Sequence, residues 1–521
     1  MNYRNILFMI SMLLLVIGIA MGSAILVGLF YKNSNEVLKG LTLCTALTLF
    51  TSLACVLLST HRNRKEQDGG ATREGFIAVS LSWMAAILFG ALPFIICAKF
   101  QIADAIFETA SGVTTTGASI IDGTLRLRTG EILTGGLESL PQCIHYWRCL
   151  LNWLGGIGFV MFILMLLPIL GGGRQLYNAE VPGLKTFGDQ LTPRMATTSA
   201  LMMACYVAWT ALVVIGYRCL GMPNWFEAVV HAFSTVSTGG FSPHSASFGF
   251  FRQPQLQWAS TIFMLVSSFN LMLLLKLMFQ GRFEFHKDEE LRWFFCAFAG
   301  VSILFAFQLI RQGIPVMLTN GEALSTKWEP MLRTTSFQAV SLMSTTGYAT
   351  SDFTLWNLPG LPAIVLVLMF LGGCGGSTSG GLKFIRLLVL FKQSLLELKR
   401  RIFPHLVPNV HVGELPIEQS VVQQTMAFLF LYVATIGLCT IALPYICPMG
   451  FETAFSSAVT AVSNVGPGLG KISPSFTFSW MNPGAKYILA FAMVAGRLEL
   501  YTVFILFLPS FWKTKQIFTR R

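Results

Sequence analysis

Asp104-Ala-Ile-Phe-Glu-Thr-Ala-Ser-Gly-Val-Thr-Thr-Thr-Gly117 decides the fold, because its pattern returns three more times along the chain. A short half-apolar segment runs into a hydroxyl-rich stretch that stops at a glycine. The second copy ends Phe233-Ser-Thr-Val-Ser-Thr-Gly239-Gly-Phe-Ser242 and the third Val340-Ser-Leu-Met-Ser-Thr-Thr-Gly347-Tyr348. The fourth ends Val459-Thr-Ala-Val-Ser-Asn-Val-Gly466-Pro-Gly468. The four glycines lie 122, 108 and 119 residues apart. One Ser/Thr-Gly turn is an ordinary loop, but four at near-constant spacing form a repeat.

The copies sit between long apolar runs. Ten stretches are long enough to cross a bilayer core, which takes ~20 apolar residues. They run approximately 5–31, 40–60, 75–98, 149–173, 195–217, 253–280, 291–311, 358–391, 419–446 and 485–511. The first is uncharged for longer than a signal-peptide apolar region and is expected to be a retained span. Charged residues make up only 12% of the 521-residue chain, too few to cover a soluble protein of this length. The net charge of +12 reflects orientation rather than an anionic ligand. With the N-terminus inside, the inner segments hold 22 of the 36 Lys and Arg, so both termini are expected in the cytoplasm. The eleven cysteines are scattered without C-x-x-C or zinc spacing, and no structural disulfide is expected.

All four turns then fall on the outer side, each between two spans. Non-helical backbone at membrane depth is tolerated only where protein buries it or it lines a water-filled path. Four such turns about one axis would present backbone carbonyls that can replace the hydration shell of an alkali cation. Glycine permits both the backbone angles and the close approach. Each short helix directs its partially negative C-terminus at the same axis.

Two spans are unusual. The eighth contains Gly372-Gly-Cys-Gly-Gly-Ser-Thr-Ser-Gly-Gly381, which cannot hold a regular helix in lipid. The tenth carries Arg497 and Glu499, and a charge at that depth must face protein or water. A flexible loop just inside the turns, held by a cation, would obstruct the path. Arg497 could instead pair with Glu499 or a loop carbonyl, although Glu499 lies about 200° away round a helix and is poorly placed.

At these residues the sequence resembles the Trk/Ktr/HKT superfamily of alkali-cation transporters, in particular the bacterial Trk-type potassium uptake subunit. The resemblance covers roughly 75–511. It is carried by His145-Tyr-Trp-Arg-Cys-Leu-Leu-Asn-Trp-Leu-Gly-Gly-Ile-Gly158, by Trp225-Phe-Glu-Ala and His231-Ala-Phe-Ser-Thr leading to Gly239-Gly-Phe-Ser242, by Gly372 to Lys383, and by Gly496-Arg-Leu-Glu499. It implies an all-α polytopic membrane protein with pseudo-fourfold symmetry around a central pore. Two extra transmembrane helices and a basic loop fill 1–74, and four repeats are expected over 75–180, 181–290, 291–410 and 411–521. The filter is expected to comprise Thr115, Thr116, Gly117, Thr238, Gly239, Thr345, Thr346, Gly347, Asn464, Val465 and Gly466. The gate is expected to comprise Gly375, Gly376, Ser377, Thr378, Lys383 and Arg497.

Family members with Ser at the first filter position tend to pass sodium. Glycine at all four positions therefore implies potassium, with a sodium-permeable or sodium-coupled transporter as the alternative. The residues do not distinguish a channel-like path from symport with H+ or Na+. The resemblance also implies a homodimer in the bacterial inner membrane and a cytoplasmic ring of nucleotide- and NAD-binding regulatory subunits, for which the basic segment Lys392–His405 is a candidate dock. Gly468-Leu-Gly470-Lys471-Ile472 lacks the spacing of a P-loop. No enzymatic chemistry, organic cofactor or nucleic-acid partner is expected.

Overall fold

The computed structural model describes residues 3–59, 71–158 and 195–512, apart from 282–284, 314, 315, 320, 322, 325, 357, 405–408 and 414. The later part of the fourth expected span and the basic stretches 61–70, 171–194 and 513–521 lie wholly or largely outside the described residues. The chain is helical, with a single two-residue hairpin, β1 (His411–Val412) and β2 (Leu415–Pro416), among the described residues.

Helices α1 (Tyr3–Phe30) and α2 (Asn35–Ser59) pack against each other along their length. At 1.5 Å per residue, α1 reaches about 42 Å, enough to cross a ~30 Å hydrocarbon core with tilt. Leu43, Phe50, Leu53 and Leu57 on α2 stand exposed, as a lipid-facing surface requires.

The remaining helices repeat one plan of span, short helix, turn and second helix. Repeat 1 is α3 (Ala71–Gly90), α4 (Ile102–Val113) and α5 (Gln142–Ile157). Repeat 2 is α6 (Met195–Cys219), α7 (Trp225–Val236) and the pair α8 (Pro254–Ser267) and α9 (Leu271–Gln280). Repeat 3 is α10 (Glu289–Gln312), α11 (Trp328–Met343) and the pair α12 (Leu361–Phe370) and α13 (Phe384–Ile402). Repeat 4 is α14 (Gln419–Ile446), α15 (Phe451–Ser463) and the pair α16 (Pro483–Arg497) and α17 (Tyr501–Phe504). The short helices α4, α7, α11 and α15 are buried over most of their length, unlike the flanking spans.

The break expected between α12 and α13 is present. Two more breaks replace spans expected to be continuous. α8 and α9 meet at 104°, and α16 meets its continuation at 111°. Neither break contains Gly or Pro between its helices. At the first, Asn270 caps α9 through the Met272 amide, and the Leu271 amide donates to the Gly376 carbonyl at 3.1 Å. At the second, Glu499 and Leu500 both take φ of 54°. Six described helices are individually long and apolar enough to span, or eight counting the two bent pairs. The second helix of each of repeats 2, 3 and 4 is thus interrupted, and the repeats share a shape as well as a motif.

Candidate site: a ring of four turns over an intramembrane loop

Each short helix ends in the same way. Thr115, Thr238, Thr345 and Asn464 occupy the left-handed region with φ of 54°, 52°, 56° and 55°. The next residue's amide then reaches back to close the helix. Thr116 donates to the Ser111 carbonyl at 2.8 Å, Gly239 to Ser234 at 2.8 Å, Thr346 to Ser341 at 2.9 Å and Val465 to Thr460 at 3.0 Å. This is the Schellman arrangement, which normally uses glycine at the left-handed position. Threonine there is costly, by roughly 1–3 kcal/mol at each such site, whereas asparagine is tolerated.

The congruence fixes the register. The glycines with positive φ after these residues are Gly117 (77°), Gly240 (72°), Gly347 (81°) and Gly466 (101°). In the second turn the fourfold-equivalent residue is therefore Gly240, not Gly239, which aligns with Thr116, Thr346 and Val465. The sequence presents two adjacent glycines there, and only the backbone separates them. The same shift explains Val465, since the residue before the glycine varies in all but two turns.

The four glycines form a closed circuit. A Cβ on Gly117 would lie 2.5 Å from the Gly239 carbonyl oxygen, and one on Gly466 2.7 Å from that of Thr116. A Cβ on Gly240 would strike the Thr346 carbonyl, and one on Gly347 that of Val465. Each turn thus lies against the next, in the order one, two, three, four and back to one.

Polar side chains stitch all four junctions. Between repeats 4 and 1, Lys486 on α16 pairs with Asp104 on α4 at 2.5 Å. Between 1 and 2, Arg148 on α5 donates to the Ser242 carbonyl at 2.9 Å. Between 2 and 3, Arg333 on α11 donates to Gln257 on α8 at 2.9 Å. Between 3 and 4, the Ser473 hydroxyl donates to Asp352 at 2.8 Å. On the loops that follow the turns, Asp122 accepts from Thr477 and Ser479, and Glu138 accepts from the Ser245 amide and hydroxyl at 2.7 and 2.6 Å. Burial raises both carboxyls, but these donors outweigh it and hold each below the usual carboxylate range.

The 372–383 segment lies directly against the ring. Its ends are tied by the Gly372 amide to the Leu382 carbonyl at 2.9 Å, and Phe384 donates to Gly373 at 3.1 Å, giving a compact Ω-like loop. The Gly380 amide donates to the Thr345 hydroxyl at 2.7 Å, and a Cβ on Gly380 would sit 2.7 Å from that of Asn464. Thr378 donates to the Val236 carbonyl at 3.1 Å, and Lys383 donates to the carbonyls of Ser377 and Ser379. Gly375 donates its amide to Glu290 at 2.8 Å and Gly376 takes φ of 75°, while the Ser377 amide closes back on Cys374.

Arg497 joins this loop to repeat 1. Its guanidinium donates to the Thr378 carbonyl at 2.7 Å and to those of Gly155 and Gly156 at 2.8 and 3.0 Å. Glu499 instead pairs with Arg386 on α13. Three participants were missed in the sequence. Glu290, buried at the start of α10, accepts the Gly375 and Ile385 amides at 2.8 and 2.9 Å. Arg386 and Asn270 are the others. An acidic residue at the N-terminal end of a span was the available signal for Glu290.

Buried polar atoms gather where ring and loop meet. Thr115 Oγ1, Ser379 Oγ and Asn464 Oδ1 have no protein partner. Such atoms ordinarily require water or an ion.

The chain matches the TrkH family, described as cation transport protein, over residues 44–514. It is 36% identical to the Trk system potassium uptake protein TrkH of Salmonella typhimurium, with 98% of this chain and 100% of that protein covered. Against the TrkG protein of Escherichia coli identity is 32%, over 98% of this chain and 99% of the relative. The crystal structure of the potassium transporter TrkH from Vibrio parahaemolyticus superposes with a TM-score of 0.83 at 30% identity, covering 98% of this chain and all of that one.

Proposed function

The chain belongs to the TrkH family of cation transport proteins, and on that premise we propose that it takes up potassium through the ring of four turns, gated by the 372–383 loop and Arg497. The observation that carries this reading is the closed glycine-to-carbonyl circuit. Three threonines held in the left-handed region against their preference indicate a geometry maintained for use rather than for stability. A ring of carbonyls, each lying against the glycine of the adjoining turn, can exchange for the hydration shell of an alkali cation. The orphaned oxygens of Thr115, Ser379 and Asn464 would face the dehydrated ion or its water on the inner side. The filter comprises Thr115, Thr116, Gly117, Thr238, Gly239, Gly240, Thr345, Thr346, Gly347, Asn464, Val465 and Gly466.

The gate follows from position. The loop packs under turns three and four, and Arg497 ties it to the Gly155 and Gly156 carbonyls across the path. A fixed positive charge there raises the barrier to a cation. Displacement of the loop would remove the plug and part Arg497 from the Thr378 carbonyl. The membrane potential supplies ~2.3 kcal/mol per charge per 100 mV for inward flow.

The protein works in the bacterial inner membrane with both termini cytoplasmic, as a homodimer. The exposed basic end of α13, Lys399 to Arg401, is the dock for a cytoplasmic nucleotide-binding regulatory subunit. Rubidium uptake in a potassium-uptake-deficient host, with sodium as competitor, tests the function. Uptake that sodium barely inhibits is expected; inhibition by equimolar sodium at parity overturns potassium selectivity in favour of the sodium-permeable reading.

A further inference from the structure

Three of the four junction stitches join elements behind the ring or outside it. The fourth reaches the ring itself. Arg148 is 1% exposed and uses each part of its guanidinium. Nε donates to Glu108 at 2.8 Å, Nη1 to the Ser242 carbonyl at 2.9 Å and Nη2 to the Ser119 hydroxyl at 3.3 Å. Its plane lies 4.0 Å over the Phe241 ring. Ser119 is two residues past Gly117, and Ser242 is two residues past Gly240. Arg148 therefore holds the outgoing strands of turns one and two at fourfold-equivalent positions.

Glu108 completes the arrangement from the short helix. It accepts from the Ser119 hydroxyl at 3.1 Å and from the Ile120 amide at 3.0 Å. Counting back from the ring glycines, its counterparts are His231, Gln338 and Ser457. His231 contacts the Ser242 hydroxyl at 3.2 Å, and Gln338 donates to the Ser351 carbonyl at 2.6 Å. Three short helices thus reach across to their own outgoing strands from one position. Among the described residues, only in repeat 1 is the reaching group an ion, and only there does a partner on the second helix extend the grip to the next turn.

We propose that Arg148, with Glu108, is a positioning residue that sets the spacing between turns one and two, and so part of the discrimination between potassium and sodium. The proposal rests on the filter reading above. A planar fork is needed, because one group must meet a carboxylate, a carbonyl and a hydroxyl in different directions while stacking on a ring. Lysine keeps the charge that Glu108 needs but cannot make the three contacts together. Glu108 in turn neutralises a buried cation that would otherwise repel the permeating ion.

The test is paired rubidium and sodium influx into proteoliposomes holding the full chain. Arg148→Lys should lower the rubidium-to-sodium ratio roughly tenfold, the scale of losing charge-assisted hydrogen bonds. Ser119→Ala removes one contact and should lower it by a smaller factor in the same direction. Glu108→Gln leaves the guanidinium uncompensated and should slow entry of both ions. Gly347→Ser, run alongside, separates the two levels of inference. If it changes the ratio while Arg148→Lys and Ser119→Ala retain the wild-type ratio, the filter stands and the positioning role is overturned. If Gly347→Ser also leaves the ratio unchanged, the filter reading itself fails.

Discussion

The ring and the loop touch, yet they are held in opposite ways. The ring uses one backbone four times, with different side chains at equivalent places: Thr, Thr, Thr and Asn at the left-handed position, and Thr, Gly, Thr and Val after it. The loop occurs once, in repeat 3, and each of its contacts is made once by a different neighbour: Glu290 from α10, Thr345 from the ring and Arg497 from α16. A ring maintained by backbone congruence is sensitive to added volume. A loop maintained by single hydrogen bonds is sensitive to lost partners.

Substitutions that add atoms to the ring test that contrast most severely. Gly347→Ser drives a side chain into the Val465 carbonyl, and Gly240→Ala does the same at Thr346. Overpacking of ~1–3 kcal/mol corresponds to about a 5- to 150-fold loss of selectivity, read as a shifted reversal potential in mixed rubidium and sodium. Gly239→Ala meets the Asn152 side chain rather than a carbonyl of the ring, and should change selectivity less than Gly240→Ala. Equal losses in the two would break the register assigned to turn two.

Arg497→Ala removes three charge-assisted hydrogen bonds and should raise basal rubidium influx about tenfold. Unchanged influx would leave the loop without an electrostatic latch. Thr345→Val keeps the shape of the turn but removes the acceptor for Gly380, a contact of ~0.5–1.5 kcal/mol. A few-fold rise in basal influx with retained selectivity would show that the hydroxyl serves the loop. Lost selectivity would assign it to the ring.

The loops that follow the turns give the smallest effect. Asp122 and Glu138 lie below the usual carboxylate range in the folded chain. Their contribution to stability is complete above about pH 5, where the unfolded chain is also ionised. It is lost as pH falls through the lower, folded-state values. Asp122→Asn should therefore lower thermal stability slightly at neutral pH, with the difference from wild type vanishing as pH falls and the acid side of the profile correspondingly flatter.

Hydropathy exposed most of the spans, because lipid demands long apolar runs whatever they pack against. The Gly-rich break was legible because glycine and serine cannot sustain a helix there. The breaks after Ser267 and Arg497 were not, because nothing in Ser268-Phe269-Asn270 or Leu498-Glu499-Leu500 forbids a helix. A cap, a carbonyl from a distant loop and two strained residues impose them. The ring was legible as a repeat, but not to the residue: Gly239 and Gly240 are alike as letters, and only their φ angles differ. Arg148 stood inside a recognisable motif with no local sign that its partners lay on two other segments. Arg497 stood out by its charge, yet Thr378, Gly155 and Gly156 supplied its carbonyls from afar.

The closed circuit of four glycines also bears on heredity. In a ring assembled from four copies of one chain, any base change in the gene appears four times at once. Here one base change alters one quarter and leaves three intact. Asn464 among three threonines, and Gly239 among larger residues, are differences that such a gene can accumulate one at a time. The geometry of the ring can then drift in quarter-steps, each exposed to selection before the next.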